Sequence, residues 1–535
     1  MPLIVAMTFA AGLTIGWFLN PAPELSPGEK KLKAVFDIIS NEYVDEVDLD
    51  SLIERSISGI LSNLDPHSAY ISAEEKAKPD DLDGSFSGIG IQFQIHNDTV
   101  CVIEAMSGGP AQKVGIMAGD RIVSVNGKNI ASIDITNDDV FKLLRGEKNS
   151  KVTLGIKRPN VHKTLEFEVI RGDIPVTSVD ASYMASPTIG YIKINKFGRN
   201  TYGEFIQGLN TLSHEGAHDF IIDLRGNTGG YMEPAIMMVN EFLPAKARIV
   251  STKGRHAQDN SVVLSDGSGS FRNSRVVVLT DETTASASEI FSGAIQDNDR
   301  GLIIGRRSFG KGLVQRPIPL SDGSEVRLTV QRYYTPSGRS IQKDYTPGKN
   351  DAYEYEIFDR YRNGEMMSAD SVKFDRSLLF KTGTGREVYG GGGIMPDIFM
   401  PNDTSAYTGY FVNAYNQGLF QKFAYEYCDL NRPELSKAKD VAHMLKILPP
   451  DGVILNAFVQ YAVSQGLPAR WYYINISQGL IVKEIKALIA RDILGIPAFY
   501  QIYNTDDINV RRAIDVIKSG QANFPIKPDS KKNKK

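Results

Sequence analysis

Two segments of this 535-residue sequence carry polar or glycine residues directly after a predicted buried strand, and the first contains serines that could act as a nucleophile. There, the apolar run Val276–Leu279 leads into Thr283-Thr284-Ala285-Ser286-Ala287-Ser288, which opens a predicted helix. Free backbone amides at a helix start can hold an oxyanion, and the helix dipole favours negative charge there. A serine at this point is placed for nucleophilic attack, although Ser and Thr are also ordinary helix caps. The spacing alone does not separate Ser286 from Ser288.

The second segment carries glycines instead of a nucleophile. The apolar run Phe220–Leu224 continues into Arg225-Gly226-Asn227-Thr228-Gly229-Gly230. Glycine has no Cβ, so backbone N–H groups beside it can approach a substrate closely. The pattern fits a substrate-binding loop and a plain tight turn equally well.

Two further motifs match known sites only in part. His214-Glu215-Gly216-Ala217-His218 has the HExxH pattern of zinc proteases, which needs a helix to bring both imidazoles to one metal. Here a glycine lies inside the motif and a strand begins two residues later, so we predict an exposed turn and no metal site. The segment Gly305–Gly312 nearly matches a phosphate-binding loop, but Gly312 stands where Ser or Thr would hold Mg²⁺. We therefore expect no nucleotide and no other cofactor.

Strands and helices alternate over residues 174–401. The two apolar runs are short and continuous, as expected of strands that are covered on both faces. Each is followed by a Gly- or Thr-rich loop and a predicted helix, Pro234–Phe242 and Ala287–Gln296. This order predicts an α/β core with its reactive groups at the carboxyl ends of parallel strands. The segment Leu313–Tyr334 is instead predicted to form a β-hairpin.

The regions that flank this core have different patterns. Residues 25–82 are predicted to be helical, with a helix over Gly28–Ser62. Residues 83–173 show short alternating strands, Gly-rich turns and one helix near Asn137–Leu144, which predicts a separate domain of about 90 residues. Residues 402–535 are predicted to be mostly helical.

Residues 1–24 contain an uncharged apolar run, Leu3–Leu19. About 20 apolar residues span a bilayer, so we expect a membrane anchor or a signal segment. Lys30, Lys31 and Lys33 follow the run and no Lys or Arg precedes it, which the positive-inside rule would associate with a cytoplasmic body. Export remains the expectation.

Composition excludes some classes of protein. The net charge of −3 offers no basic face, so nucleic-acid binding is not expected. The two cysteines, Cys101 and Cys428, are too few for a disulfide framework or a zinc cluster.

Taken together in order and spacing, the motifs resemble the carboxy-terminal processing (tail-specific) proteases, which are PDZ-containing serine–lysine peptidases. The resemblance covers about Leu64 to Pro401. Its motifs, besides the two strand ends, are Leu64-Asp65-Pro66-His67-Ser68, Phe86-Ser87-Gly88-Ile89-Gly90-Ile91, Gly115-Ile116-Met117-Ala118-Gly119-Asp120-Arg121-Ile122, Ser308-Phe309-Gly310-Lys311-Gly312-Leu313-Val314-Gln315, Tyr333-Tyr334-Thr335-Pro336-Ser337-Gly338-Arg339 and Gly391-Gly392-Gly393-Ile394-Met395-Pro396-Asp397. It implies a layered, ClpP/crotonase-like α/β core at 174–401 and a PDZ domain inserted at 83–173.

The resemblance also implies the catalytic residues. The nucleophile falls on Ser286, the base on Lys311, and a glutamine that supports the lysine falls on Gln315. The lysine must be uncharged to accept the serine proton. Since the reference pKa of lysine is about 10.4, burial has to lower it by roughly 3 units near neutral pH. No histidine is needed for this chemistry, and we expect Lys311 to be hydrogen-bonded to Ser286 and Gln315.

The implied oxyanion hole combines the amide of Ala287 with one from Gly229 or Gly230. Relatives usually carry proline where Thr228 stands, which leaves open which glycine amide points inward.

The implied PDZ domain would bind the carboxyl-terminal tails of protein or peptide substrates. An extended tail adds a strand to a sheet edge, and backbone amides capture its carboxylate. Phe86-Ser87-Gly88-Ile89-Gly90 is the expected carboxylate loop, with Ile89 and Ile91 lining an apolar socket. We expect a periplasmic enzyme of the cell envelope, attached to the inner membrane by residues 1–24, with an envelope adaptor and homo-oligomer formation as further partner expectations. The alternatives are an inactive PDZ-bearing envelope scaffold and a zinc protease that uses His214 and His218.

Overall fold

The computed structural model describes residues 25–76, 81–106, 108–159 and 161–526 of the chain. The predicted membrane segment, residues 1–24, lies outside them. Among the helices of the described ranges, none is both long enough and apolar enough to cross a bilayer.

The amino-terminal region contains four short elements, α1 (Pro27–Glu42), α2 (Leu49–Leu61), β1 (Ala69–Ile71) and α3 (Ala73–Lys76). The continuous helix predicted over Gly28–Ser62 is wrong. The Asp48 carboxylate accepts a hydrogen bond from the Ser51 amide and caps a new helix there. The backbone between α1 and α2 includes Tyr43, which is extended, so the first helix stops.

The region predicted as the PDZ domain folds around an antiparallel sheet. Its elements are β2 (Ser85–Gly88), β3 (Ile91–His96), β4 (Thr99–Ala105), α4 (Pro110–Lys113), β5 (Arg121–Val125), β6 (Lys128–Asn129), α5 (Asn137–Leu144), β7 (Lys151–Lys157), β8 (Leu165–Ile170) and β9 (Gly172–Pro175). The sheet runs β3-β4-β5-β7-β8, with β6 beside β5. Strands β2 and β9, the first and last of the region, form a separate antiparallel pair that leads into the rest of the chain. The helix predicted near Asn137–Leu144 is confirmed as α5.

The next region holds the central sheet. Its elements are β10 (Val179–Ser186), β11 (Ile189–Ile194), α6 (Thr201–His214), β12 (Asp219–Asp223), α7 (Met232–Asn240), β13 (Arg248–Gly254), β14 (Ser261–Leu264), β15 (Val276–Thr280), α8 (Ala287–Asp297), β16 (Leu302–Gly305), β17 (Leu313–Pro319), β18 (Glu325–Tyr334), α9 (Asn350–Arg362), β19 (Leu379–Lys381), β20 (Glu387–Tyr389) and β21 (Ile398–Phe399). The central sheet runs β10-β11-β12-β15-β16-β21, and every neighbouring pair except β10 and β11 is parallel. Helices α6, α7 and α8 pack on one face. The predicted α/β core is confirmed.

A second sheet lies beside the central one and contains the predicted hairpin. It runs β1-β18-β13-β14, with β17 paired to β18. Strands β17 and β18 confirm the hairpin over Leu313–Tyr334. The sheet joins the amino-terminal strand β1 to the core, because β1 pairs with β18 in antiparallel register.

The carboxy-terminal region is helical, as predicted, with α10 (Gly409–Asn416), α11 (Leu419–Leu435), α12 (Val441–Ile447), α13 (Asp451–Ser464), α14 (Trp471–Leu494), α15 (Ile496–Tyr503) and α16 (Ile508–Lys518). Helices α10 to α14 enclose an apolar core of their own. Helix α16 instead packs Val510, Ala513 and Val516 against β12 and β15, on the face of the central sheet opposite α6–α8. Because both faces are covered, β12 and β15 are buried along their whole length.

Helix α11 also contacts the sheet of the PDZ-like domain. Arg121 Nη2 lies 2.6 Å from Asp429 Oδ2, and His96 Nε2 lies 3.2 Å from Glu426 Oε1. Tyr425 covers the thiol-bearing Cys101 in a small buried cluster. The helical region therefore contacts the PDZ-like domain through strands β3, β4 and β5.

We expect Arg121→Asp to loosen this contact, because the new carboxylate faces Asp429. The Cys101 thiol should then react with a thiol reagent about fivefold faster, the factor that corresponds to about 1 kcal/mol. Mass spectrometry would follow the labelling, and Cys428, buried inside the helical core, is the internal control. The double variant Arg121→Asp/Asp429→Arg should restore protection; labelling that is as slow in the single variant as in the wild type would contradict the contact.

Candidate active site

Ser286 occupies the sharp turn between β15 and α8. Its backbone has φ 56° and ψ −117°, a conformation that non-glycine residues rarely adopt. The buried strand before it and the buried helix after it hold this strained geometry, which is a common feature of functional sites. Ser286 is half-buried, whereas Ser288 is fully buried and its Oγ donates to the Asn227 carbonyl oxygen at 3.0 Å. The structure therefore favours Ser286 as the accessible hydroxyl.

The buried carboxyl of Glu289 joins the Ser286 turn to the Lys311 loop. Its Oε2 accepts the amide of Ser286 at 2.8 Å and that of Lys311 at 2.9 Å. Its Oε1 accepts the Gly310 amide at 2.8 Å and the Ser308 hydroxyl at 2.5 Å. Glu289 belongs to the candidate site but was not predicted, although Ser-x-x-Glu at a helix start is the signature of a capping box.

The backbone carbonyl groups of Ser286 and Lys311 also share a hydrogen-bond partner. The Tyr333 hydroxyl lies 3.1 Å from the Ser286 carbonyl oxygen and 2.5 Å from that of Lys311. Tyr333 is buried, and burial raises the pKa of its hydroxyl well above the usual value, so it stays protonated. The backbones of Ser286 and Lys311 are thus held together from two sides.

We expect Glu289→Gln to change how thermal stability depends on pH. Burial raises the pKa of Glu289 from 4.5 to about 7, so between these values the folded chain binds this proton more tightly than the unfolded chain. The stability that the proton contributes is present below pH 4.5 and is lost as the pH rises through about 7. The Tm of the wild type minus that of Glu289→Gln should therefore fall from about pH 5 to about pH 8. A difference that does not change with pH would contradict this assignment.

Lys311 lies half-buried just before β17. Desolvation lowers the pKa of its amine below the ordinary lysine value, and the charge of Arg327 acts in the same direction. The carboxylates of Glu289 and Asp65 oppose this shift. The direction is the one that a lysine base requires. Among the described residues, however, the amine makes no hydrogen bond to Ser286 or Gln315, unlike the expectation, and the Gln315 Nε2 instead donates to Thr329 Oγ1 at 3.2 Å.

The amino-terminal segment that carries Asp65 and His67 reaches this lysine. Burial, together with the positive charge of Lys311, lowers the pKa of His67 to about 4, so its imidazole is neutral at neutral pH. Its Nε2 lies 3.0 Å from the Tyr353 hydroxyl. No histidine was predicted to lie beside the lysine. The signal that pointed to His67 was the Leu64–Ser68 motif.

The glycine loop after β12 lies against the Ser286 turn. A Cβ on Gly229 would come within 2.7 Å of the Ser286 Cβ and 3.0 Å of the Ala287 amide nitrogen. The Gly229 amide already donates to Asn227 Oδ1 at 2.9 Å. In the described part of the chain, the amides of Gly230 and Ala287 donate no hydrogen bond. The geometry therefore favours Gly230 over Gly229 as the companion of Ala287.

The HExxH segment forms the turn that was predicted for it, and Gly305–Gly312 forms a loop between two strands. Helix α6 ends at His214, Gly216 has φ 107°, and β12 begins at Asp219, so the HExxH segment is a turn. Its two histidines are exposed, whereas Ala217 is buried. Across the described ranges, no group of three or more His, Cys, Asp or Glu residues is arranged to hold a metal ion. The segment Gly305–Gly312 runs from the end of β16 to β17 without opening a helix.

The carboxylate loop predicted at Phe86–Gly90 is only partly a loop: Phe86–Gly88 belong to β2, which pairs with β9, and only Ile89 and Gly90 lie between β2 and β3. Among the described strands, β3 pairs only with β4, so its other edge is available for an added strand. The Phe93 ring on β3 lies 5.5 Å from the Phe141 ring on α5, and the Arg145 guanidinium packs over Phe86 and Phe141. Ile89 is 2% exposed and packs in the core of the domain rather than in an open socket.

Comparison with known proteins identifies these parts. Family models match peptidase family S41 at residues 188–348, a PDZ domain at 102–158, the N-terminal domain of the activating protease CtpB at 21–75, and a family of unknown function at 410–495. The PDZ match lies within the domain described above.

Curated relatives carry related names. The carboxy-terminal processing protease CtpB of Bacillus subtilis is 35% identical over 317 residues, which cover 58% of this chain and 65% of the relative. The carboxy-terminal-processing protease of Bartonella bacilliformis is 38% identical over 315 residues, which cover 58% of this chain and 71% of the relative. The chain thus spans about two thirds of the length of these relatives. A solved photosystem II D1 C-terminal processing protease is 27% identical, with 61% of this chain and 92% of that chain covered and a TM-score of 0.33. The resemblance read from the motifs is confirmed: the chain belongs to the carboxy-terminal processing proteases of peptidase family S41, a family of serine-type peptidases.

Proposed function

We propose that this chain is a serine endopeptidase that hydrolyses peptide bonds with Ser286 as nucleophile and Lys311 as base. The observation that carries the proposal is the pair of hydrogen bonds from the Ser286 and Lys311 amides to one oxygen of the buried Glu289. This pair holds the nucleophile turn and the lysine loop in one fixed relation. The strained backbone of Ser286 and the lowered pKa of Lys311 support the same assignment.

In this mechanism the Ser286 hydroxyl attacks the scissile carbonyl while the uncharged Lys311 amine accepts its proton. The negative charge that develops on the carbonyl oxygen is met by the amides of Ala287 and Gly230. Lys311 then returns the proton to the leaving amine. A water molecule hydrolyses the resulting acyl-enzyme, with Lys311 again as the base.

The PDZ domain selects the substrate in this proposal. A peptide tail adds to the open edge of β3, and the loop Phe86-Ser87-Gly88-Ile89-Gly90-Ile91 receives its terminal carboxylate. The family relationship and the apolar run in residues 1–24 support a location of the enzyme in the cell envelope. Its substrates there are proteins with accessible carboxyl-terminal tails.

An unstructured peptide with an apolar carboxyl terminus tests both parts of the proposal. We expect the full chain to cleave it, in the presence of a strong chelator as in its absence. The same peptide with an amidated carboxyl terminus should be cleaved with a KM about tenfold higher, since the carboxylate contacts are lost. Loss of cleavage in the chelator would overturn the serine mechanism. Equal kinetics for the two peptides would overturn tail recognition.

A further inference from the structure

Two consecutive hydrogen bonds, each donated in the direction of Asp65, form a chain that connects Gln315 to the amino-terminal segment. Gln315 Nε2 donates to Thr329 Oγ1 at 3.2 Å, and Thr329 Oγ1 donates to Asp65 Oδ1 at 2.9 Å. Thr329 is on β18, and Asp65 is 264 residues away in sequence. The contact forms because β1 pairs with β18, with Ala69 opposite Arg327.

Asp65 is rigidly held at the far end of this chain. It is 5% exposed, and it accepts the amides of His67 at 2.9 Å and Ser68 at 3.0 Å. The Ser68 hydroxyl donates to it at 2.6 Å and in turn accepts the Thr329 amide at 3.1 Å. These bonds fix both the backbone and the hydroxyl of Thr329.

The chemistry of the groups sets the direction of the chain. An ionised carboxylate can only accept, so the single proton of the Thr329 hydroxyl points to Asp65. Toward Gln315 the hydroxyl can then only accept, and it must face the NH₂ end of the amide. The Gln315 Oε1 is consequently turned away from Thr329, and among the described residues no donor is hydrogen-bonded to it.

We propose that Asp65, acting through Thr329, is a positioning residue that turns the Gln315 Oε1 toward the Lys311 amine. This inference rests on the proposed function. An uncharged amine has two N–H groups and one lone pair. When one N–H is held by the Gln315 oxygen, the lone pair is aimed and can receive the Ser286 proton. The segment before the PDZ domain thus completes the Ser–Lys site.

The variant Thr329→Val tests the inference, because it removes the hydroxyl with little change in shape. We expect kcat to fall about 10- to 100-fold with KM within about twofold, as for a group that acts after binding. By accepting a hydrogen bond from the amine, the Gln315 oxygen favours the charged form of Lys311 and so raises its pKa. The variant loses this effect, so the ascending limb of the pH profile of kcat should move to lower pH. The other charged or titratable groups that face Lys311, namely Glu289, Asp65, Arg327 and His67, are all kept in this variant. The variant Thr329→Ser keeps the hydroxyl and should stay within about twofold of the wild type.

Thr252→Val is the matched control for a purely structural effect. Thr252 is buried on β13 in the same sheet, and its hydroxyl lies 2.8 Å from that of Ser261. Its loss should lower Tm without changing kcat or the pH profile. If Ser286→Ala and Lys311→Ala abolish cleavage but Thr329→Val matches the wild type in kcat and pH profile, this inference alone is wrong. If Ser286→Ala or Lys311→Ala retains cleavage, the proposed function itself fails.

Discussion

Replacing Ser286 by alanine should lower kcat at least about 10⁴-fold for any peptide that the wild-type chain cleaves, with KM nearly unchanged. The hydroxyl is the only group in the proposed mechanism that forms a bond to the substrate, so no neighbour can take its place. Residual turnover would come from the Ala287 and Gly230 amides alone. Steady-state kinetics with a fluorogenic peptide would measure the loss.

Ser288→Ala is the matched control, since it removes a hydroxyl two residues away on the same helix. Ser288 donates to the buried Asn227 carbonyl oxygen, so its loss should cost about 1–3 kcal/mol of stability and leave most of the activity. If instead Ser288→Ala is inactive and Ser286→Ala is active, the two serines have been assigned the wrong way round.

Lys311→Met should have the second largest effect, and it should act on activity and stability in opposite directions. Without a base, kcat should fall at least about 10³-fold. Because burial lowers the pKa of Lys311, the folded chain binds this proton less tightly than the unfolded chain, so the lysine lowers stability at neutral pH. We expect the Tm of Lys311→Met to rise by about 1–4 °C at pH 7, with a gain that shrinks as the pH approaches the ordinary lysine pKa.

Lys343→Met provides the comparison for the stability effect. Lys343 is also buried and also has a lowered pKa, but its amine donates to the Tyr353 carbonyl oxygen at 2.9 Å and to Glu356 at 3.0 Å. Removal of a paired amine leaves these acceptors unsatisfied, so the Tm should fall. A fall in Tm for both lysine variants would contradict the destabilising effect of the partly buried Lys311 amine.

The sequence predicted the elements of the core because their signals are local. The apolar runs after which Ser286 and Gly229 stand are fully buried strands, and the hairpin follows its turn residues. Residue spacing left the choice between Ser286 and Ser288 open, because it depends on a backbone angle and on a bond to Asn227, and only the family resemblance pointed to Ser286. The choice between Gly229 and Gly230 depends on the same asparagine, through its side chain.

Contacts between distant segments account for what the sequence did not predict. Asp65 and Thr329 meet only because β1 joins β18, and no periodicity in either segment indicates that pairing. Helix α16 covers the central sheet from the end of the described chain, although its own pattern shows only an amphipathic helix. Glu289 could have been predicted from the sequence, because its position three residues after Ser286 matches the capping-box pattern.

The most direct measurement is the rate at which a serine-reactive phosphonate labels the chain, followed across pH and located by peptide mapping. The account predicts one adduct, on Ser286, that forms faster as pH rises, with a midpoint well below the ordinary lysine value of about 10.4, and that is lost in Lys311→Ala. An adduct on Ser288, or labelling of Ser286 that proceeds at the same rate without Lys311, would contradict it.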